Sequence, residues 1–157
     1  MCESVTNPSA HGAQGFKWLT RDSKSKAINQ WLFFSKKPPA VAAQILNDYA
    51  NEHKLRDNLS PPKGTTLQDW VAKNTAPLWA CQAALELCLA NGWRPETATE
   101  WAVYAYFLIR KKKGEYRLQV FSELIHRSLD RMCALGWIVA ALEATGKVPA
   151  PPERKGK

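Results

Sequence analysis

The chain has 157 residues and a mass of 17.6 kDa, enough for one core and little more. Its apolar fraction of 45% and charged fraction of 23% exclude a wholly disordered chain, a collagen-like one and a disulfide scaffold. The departures from ordinary composition are seven Trp, ten Pro and a formal net charge of +8. That charge is uneven: residues 1–64 carry +4, residues 65–109 carry −2 and residues 110–157 carry +6. Two basic ends therefore flank a neutral-to-acidic middle, as expected of a face that attracts polyanions.

The N-terminal stretch MCESVTNPSAHGAQ has neither a charged n-region nor an apolar h-region, so it does not read as a secretory signal. No apolar run approaches the roughly 18 residues of a membrane span. Four cysteines (Cys2, Cys81, Cys88, Cys133) are too few and too scattered for a secreted disulfide framework. An intracellular, cytoplasmic protein without membrane association is expected.

Helical periodicity dominates, beginning after a loose tail at residues 1–14. A first helix is expected from about Ser23, a candidate N-cap, to Phe34, with Ile28, Trp31 and Leu32 on one face. Lys36 and Lys37 follow, and Pro38-Pro39 stops that helix while opening a second. Its apolar face is Val41, Ala42, Ile45, Leu46 and Tyr49, and it ends near Lys54. The stretch Arg56 to Gly64, rich in Asn, Ser and Pro, reads as a loop. A short helix follows from Thr66 to Lys73, with Thr66 and Asp69 spaced as a capping box.

Thr75-Ala-Pro77 is the expected start of a helix to Ala90 that is apolar nearly all round, and such a helix belongs at the centre of its domain. Asn91-Gly92 ends it. Thr97 and Glu100 form a capping box for the next helix, about Ala98 to Lys112, which would pair with the preceding one as a hydrophobic central hairpin. After Gly114 a long last helix is expected from Tyr116 to Thr145, and residues 147–157 read as a basic, Pro-rich tail. The expectation is all-α: a single compact domain of about six helices over residues 15–146, with loose tails on both sides.

Catalytic and metal chemistry find little support. Cys81 and Cys88 lie seven residues apart, as do His126 and Cys133. Seven residues span about 10.5 Å of helix, whereas two ligands of one zinc ion sit only about 3–4 Å apart. Those cysteines read as small core hydrophobes, with no metal and no cofactor expected. No dinucleotide, P-loop, zincin or nucleophile-elbow motif is present, and Pro62-Lys63-Gly64-Thr65-Thr66 holds the ingredients of a phosphate loop in the wrong order. Glu86 and Glu100, in apolar surroundings on helices expected to neighbour one another, are the only carboxylate pair that suggests acid–base work.

The segment Arg110-Lys111-Lys112-Lys113-Gly114-Glu115-Tyr116-Arg117 places five cations within eight residues at a helix-to-helix corner. Cations at a helix C-terminus offset the macrodipole, but two would suffice for that; the excess repels itself unless phosphates neutralise it. Arg110, Lys111, Lys112, Lys113 and Arg117, extended by Lys36 and Lys37, are thus the candidate nucleic-acid contacts, for DNA or RNA. A helix-turn-helix is disfavoured, because the start of its second helix would present Glu96 and Glu100 to the groove. The Trp residues offer an alternative. Trp79, Trp101 and Trp137 fit apolar stripes, while Trp18, Trp70 and Trp93 lie near element ends and would form a surface for a protein partner or a second copy of the chain. A small enzyme using a buried carboxylate is the third reading.

Overall fold

The computed structural model of the chain describes residues 12–21 and 23–146. Among them are eight helices and no strand: α1 (Gly12–Arg21), α2 (Lys26–Phe34), α3 (Pro39–Glu52), α4 (Gly64–Lys73), α5 (Leu78–Ala90), α6 (Ala98–Arg110), α7 (Leu118–Ser122) and α8 (Arg131–Ala144). The all-α reading stands. The C-terminal tail and residues 1–11, with Cys2 and His11, fall outside the described residues. Residues 12–14, expected in the N-terminal tail, instead begin α1.

Among the described residues the helices gather into two compact units, one of residues 23–94 and one of residues 12–21 together with 95–146. In the first, α5 packs on α2 and α3, and α4 packs on α3 and α2. In the second, α6 packs on α8 and α1, with α7 against α8. Helix α5 is buried within the first unit and α6 within the second. Both are apolar nearly all round, so each needs covering on every side. Nine of the thirteen residues of α5 are buried, and eight of the thirteen of α6.

In the α2–α5 unit, Ile28, Leu46, Leu67, Cys81 and Cys88 have no exposed surface. Burial drives both thiols away from ionisation, Cys81 up to about 11 and Cys88 up to about 12. The indole Nε1 of Trp31 donates to the carbonyl of Ala42 at 3.0 Å, tying α2 to the start of α3. Gly64 opens α4 against the start of α3, and any Cβ there would lie 2.8 Å from the backbone nitrogen of Ala40. The glycine of the suspected phosphate loop thus serves a close helix approach.

Three expected caps are not used. Thr66 lies inside α4, whose N-cap is Lys63 with no side-chain bond, and α5 begins after Pro77 rather than at Thr75. Ser25 rather than Ser23 precedes α2, and its hydroxyl accepts from the backbone N–H of Ala76 at 3.1 Å. Pro77 at the start of α5 and the close Gly64 contact at the start of α4 stand where side-chain caps are expected.

In the other unit Phe16 of α1 packs on Trp137 of α8, with ring centroids 6.5 Å apart. The two are 2% and 0% exposed. The expected long last helix is broken into α7 and α8. Asp130 accepts from the backbone N–H of Cys133 at 2.9 Å and starts α8 afresh. Upstream of it, the Ser128 N–H bonds to the His126 ring at 3.2 Å, and the His126 N–H donates to the Tyr104 hydroxyl at 3.1 Å. Side chains of Ser, Asp and His offer the backbone these local partners in place of helical carbonyls.

Candidate nucleic-acid interface

Helix α6 starts with the capping box read from the sequence: the Thr97 hydroxyl accepts from the Glu100 N–H, and the Glu100 carboxylate accepts from the Thr97 N–H. Glu100 is engaged in that cap. Phe107 and Leu108 bury the last turn of α6, so the chain leaves the core at Arg110 and passes through exposed Lys111, Lys112 and Lys113. Gly114, at φ 82°, then reverses the chain toward α7. A left-handed residue is what lets the loop turn without a Cβ clash. The Arg110 guanidinium lies 5.7 Å from the ring centroid of Tyr106, within cation–π range.

The fifth cation of this corner, Arg117, behaves differently from the other four. It grips Glu115 through two parallel bonds, Nε to Oε2 at 2.9 Å and Nη2 to Oε1 at 3.1 Å. The Glu115 carboxylate also accepts the backbone N–H groups of Tyr116 and Arg117. These bonds, led by the Arg117 side chain, hold Glu115 down to about 2 and raise Arg117 above its usual value. The only acid of the corner is therefore spent on one cation. Arg110, Lys111, Lys112 and Lys113 stand exposed around it, with Tyr116 half exposed beside them.

Lys36 and Lys37 belong to the other unit, at the corner between α2 and α3. Both are exposed, and Lys36 takes a left-handed φ of 55°. The turn is pinned by the Ser35 hydroxyl, which accepts from the Lys37 N–H at 3.2 Å, and by the Lys36 N–H donating to the Phe33 carbonyl. Of the seven candidate contacts, five belong to one unit and two to the other.

The remaining candidates resolve as follows. Glu86 is half buried and accepts from the Tyr49 hydroxyl at 2.7 Å and the Gln82 amide at 3.3 Å. Burial first, and then the bond to Glu86, raise the Tyr49 phenol well above its usual range. Glu86 belongs to the α2–α5 unit and Glu100 to the other, where the α6 cap employs its carboxylate. Among the described residues no group of three or more His, Cys, Asp or Glu is placed to hold a metal ion.

The described Trp side chains do not make a Trp-rich face. Trp31, Trp93, Trp101 and Trp137 are buried, and Trp70 and Trp79 are half buried. Trp93, expected at the surface, is pulled in where its backbone N–H donates to the Cys88 carbonyl at the end of α5. Trp79 carries the Arg56 guanidinium 4.3 Å from its ring centroid. The side chain of Trp18 lies outside the described residues. Among the described side chains, the large apolar ones that are exposed are Phe33, Val41, Leu59, Tyr116 and Met132. Phe33 and Tyr116 each adjoin a lysine-rich corner, and the sequence singles out only Tyr116.

No family model matches the chain, and no curated protein or solved structure matches it. Among the described residues no helix is long and apolar enough to cross a membrane.

Proposed function

We propose that the protein is a non-enzymatic helical binder of nucleic acid, gripping its ligand mainly through phosphates at the α6–α7 corner. One observation carries this reading: Arg110, Lys111, Lys112 and Lys113 are four consecutive exposed cations where α6 ends and its corner begins. Four adjacent cations repel one another in the free protein. A polyphosphate backbone relieves that repulsion and releases its own condensed counterions, which is the main source of sequence-independent affinity. Tyr116, 50% exposed, adds an aromatic surface beside the charge. The rival reading, a protein-docking face built from tryptophans, loses support because the six described Trp side chains are buried or half buried.

The test is charge reversal at K111E/K112E/K113E, measured by fluorescence anisotropy with a labelled oligonucleotide of about 12 nucleotides. Affinity falls by about tenfold or more at low salt, because counterion release at three positions is lost. Far-UV circular dichroism stays unchanged, since all three side chains lie outside the core. Undiminished binding by the folded variant overturns the proposal.

A further inference from the structure

The α2–α3 corner carries a feature that phosphate binding alone does not use. Beside Lys36 and Lys37 lies a groove of about 650 Å³, lined among others by Asn29, Phe33, Phe34, Lys37, Gln68 and Val71. That volume is in the range of small-molecule and cofactor sites. Phe33 is 74% exposed, and Phe34 meets it edge-on with centroids 5.6 Å apart and planes at 82°. An aromatic ring left largely in water contributes little to folding. The fold nevertheless sets it at the end of a well-packed helix, whose Trp31 is anchored to α3.

The chemistry around the ring is that of an anion with a flat apolar part. From residue 23 to residue 47 the chain has no Asp or Glu and four lysines, Lys24, Lys26, Lys36 and Lys37. The nearest acid on the facing helix, Asp69, is 3.6 Å from Lys73. Asn29 and Gln68 are exposed amides, each with donors and an acceptor on one planar group, as base edges require. Lys37 lines the groove and Lys36 precedes it, on a turn fixed by Ser35 and by the two prolines that follow.

We infer that this groove takes an unpaired nucleobase of a single strand, stacked on Phe33, with its edge toward Asn29 and Gln68 and the flanking phosphates at Lys36 and Lys37. The inference rests on the nucleic-acid reading above for the class of ligand. It adds a second site and a preference for unpaired strands, because a base within a duplex cannot present its face to a side chain. Charge complementarity selects this occupant over an apolar peptide, which would leave Lys36 and Lys37 without anionic partners.

The experiment measures anisotropy of a labelled single strand and of the matching duplex against wild type, F33A, F33W and K111E/K112E/K113E, with folding followed by circular dichroism. Loss of one base–aromatic stack weakens single-strand binding by F33A about tenfold. Duplex binding by F33A stays within about twofold, and F33W, which keeps an aromatic face, restores the single-strand affinity. If F33A binds both forms as wild type does, the groove inference is overturned, while loss of binding in the triple variant still upholds the α6–α7 corner. If F33A weakens both forms equally, or F33W fails to restore affinity, stacking is not the interaction and the inference also falls. If the triple variant binds normally and F33A does not bind the single strand, the groove stands and the corner assignment fails. Failure of wild type to bind either form removes both.

Discussion

The corner after α2 and the corner after α6 start alike. Each helix ends with adjacent aromatic residues near its last turn, Phe33-Phe34 in one and Tyr106-Phe107 in the other, and each is followed by lysines on an exposed turn. They diverge in what the aromatics do. Phe107 is buried and Tyr106 lies under Arg110, so the α6 corner presents charge. Phe33 is left in solvent over a groove, so the α2 corner presents charge beside a bare ring. On the proposed reading, similar composition serves two parts of one kind of ligand: four clustered cations for the phosphate backbone, and two cations with a ring and amides for an unpaired base. Two basic runs of similar composition thus present different surfaces, according to whether the neighbouring aromatic is buried or exposed.

Three substitutions sharpen this comparison by acting on one corner's support at a time. The largest effect is expected for Phe16→Ala. It removes a ring packed on Trp137 in the unit that carries the α6 corner, at a cost of about 3–5 kcal/mol for a buried Phe. Thermal or denaturant unfolding measures it, and a loss below about 1 kcal/mol would mean that α1 does not support this unit. Gly64→Ala strikes the other unit. A Cβ 2.8 Å from the Ala40 nitrogen forces the α3–α4 approach apart, and overpacking of this kind costs about 1–3 kcal/mol. Unchanged stability there would show that the helix starts can separate freely, and the α2–α3 corner would then not be rigidly held.

The smallest effect belongs to Glu115→Gln, which removes the ionic clamp on Arg117 and one negative charge from the α6 corner. Binding tightens modestly, and the slope of log affinity against log salt steepens by about 0.7 for each further phosphate that the corner neutralises on a single strand. The pH dependence has a definite sign. Glu115 has its carboxylate lowered to about 2, so whatever stability the clamp adds is complete above the ordinary carboxylate value of 4.5 and is lost as pH falls toward 2. With Arg117 exposed to solvent, the pair adds little to folding; its importance lies in occupying the only acid of the corner. Wild-type binding measured between about pH 5 and 8 therefore shows no step from this carboxylate.

Much of the fold is legible in the sequence where a single local signal has no competitor. The Thr97–Glu100 capping box, the Pro38-Pro39 junction and the all-round apolar α5 each agree with the structure, since caps, prolines and burial act over a few residues. Helix α1 is illegible because Gly12 and Gly15 lower its propensity; packing of Phe16 on Trp137 supplies what propensity does not. The break between α7 and α8 is signalled by Asp130, an N-cap hidden inside a continuous apolar stripe. The α6 corner can be found from charge alone. The exposure of Phe33 cannot, because helical periodicity places it beside Trp31 and Leu32 and does not say which ring α3 and α4 will leave uncovered.

The most direct test of the central claim compares the salt dependence of single-strand binding by wild type and by K111Q/K112Q/K113Q. Removing three phosphate contacts reduces the magnitude of the log–log slope by about 2, at roughly 0.7 per contact. A wild-type affinity that falls steeply between about 50 and 200 mM salt, with a slope flatter by that amount in the variant, is the predicted result. Equal slopes in the two proteins, or binding that ignores salt, would contradict the account.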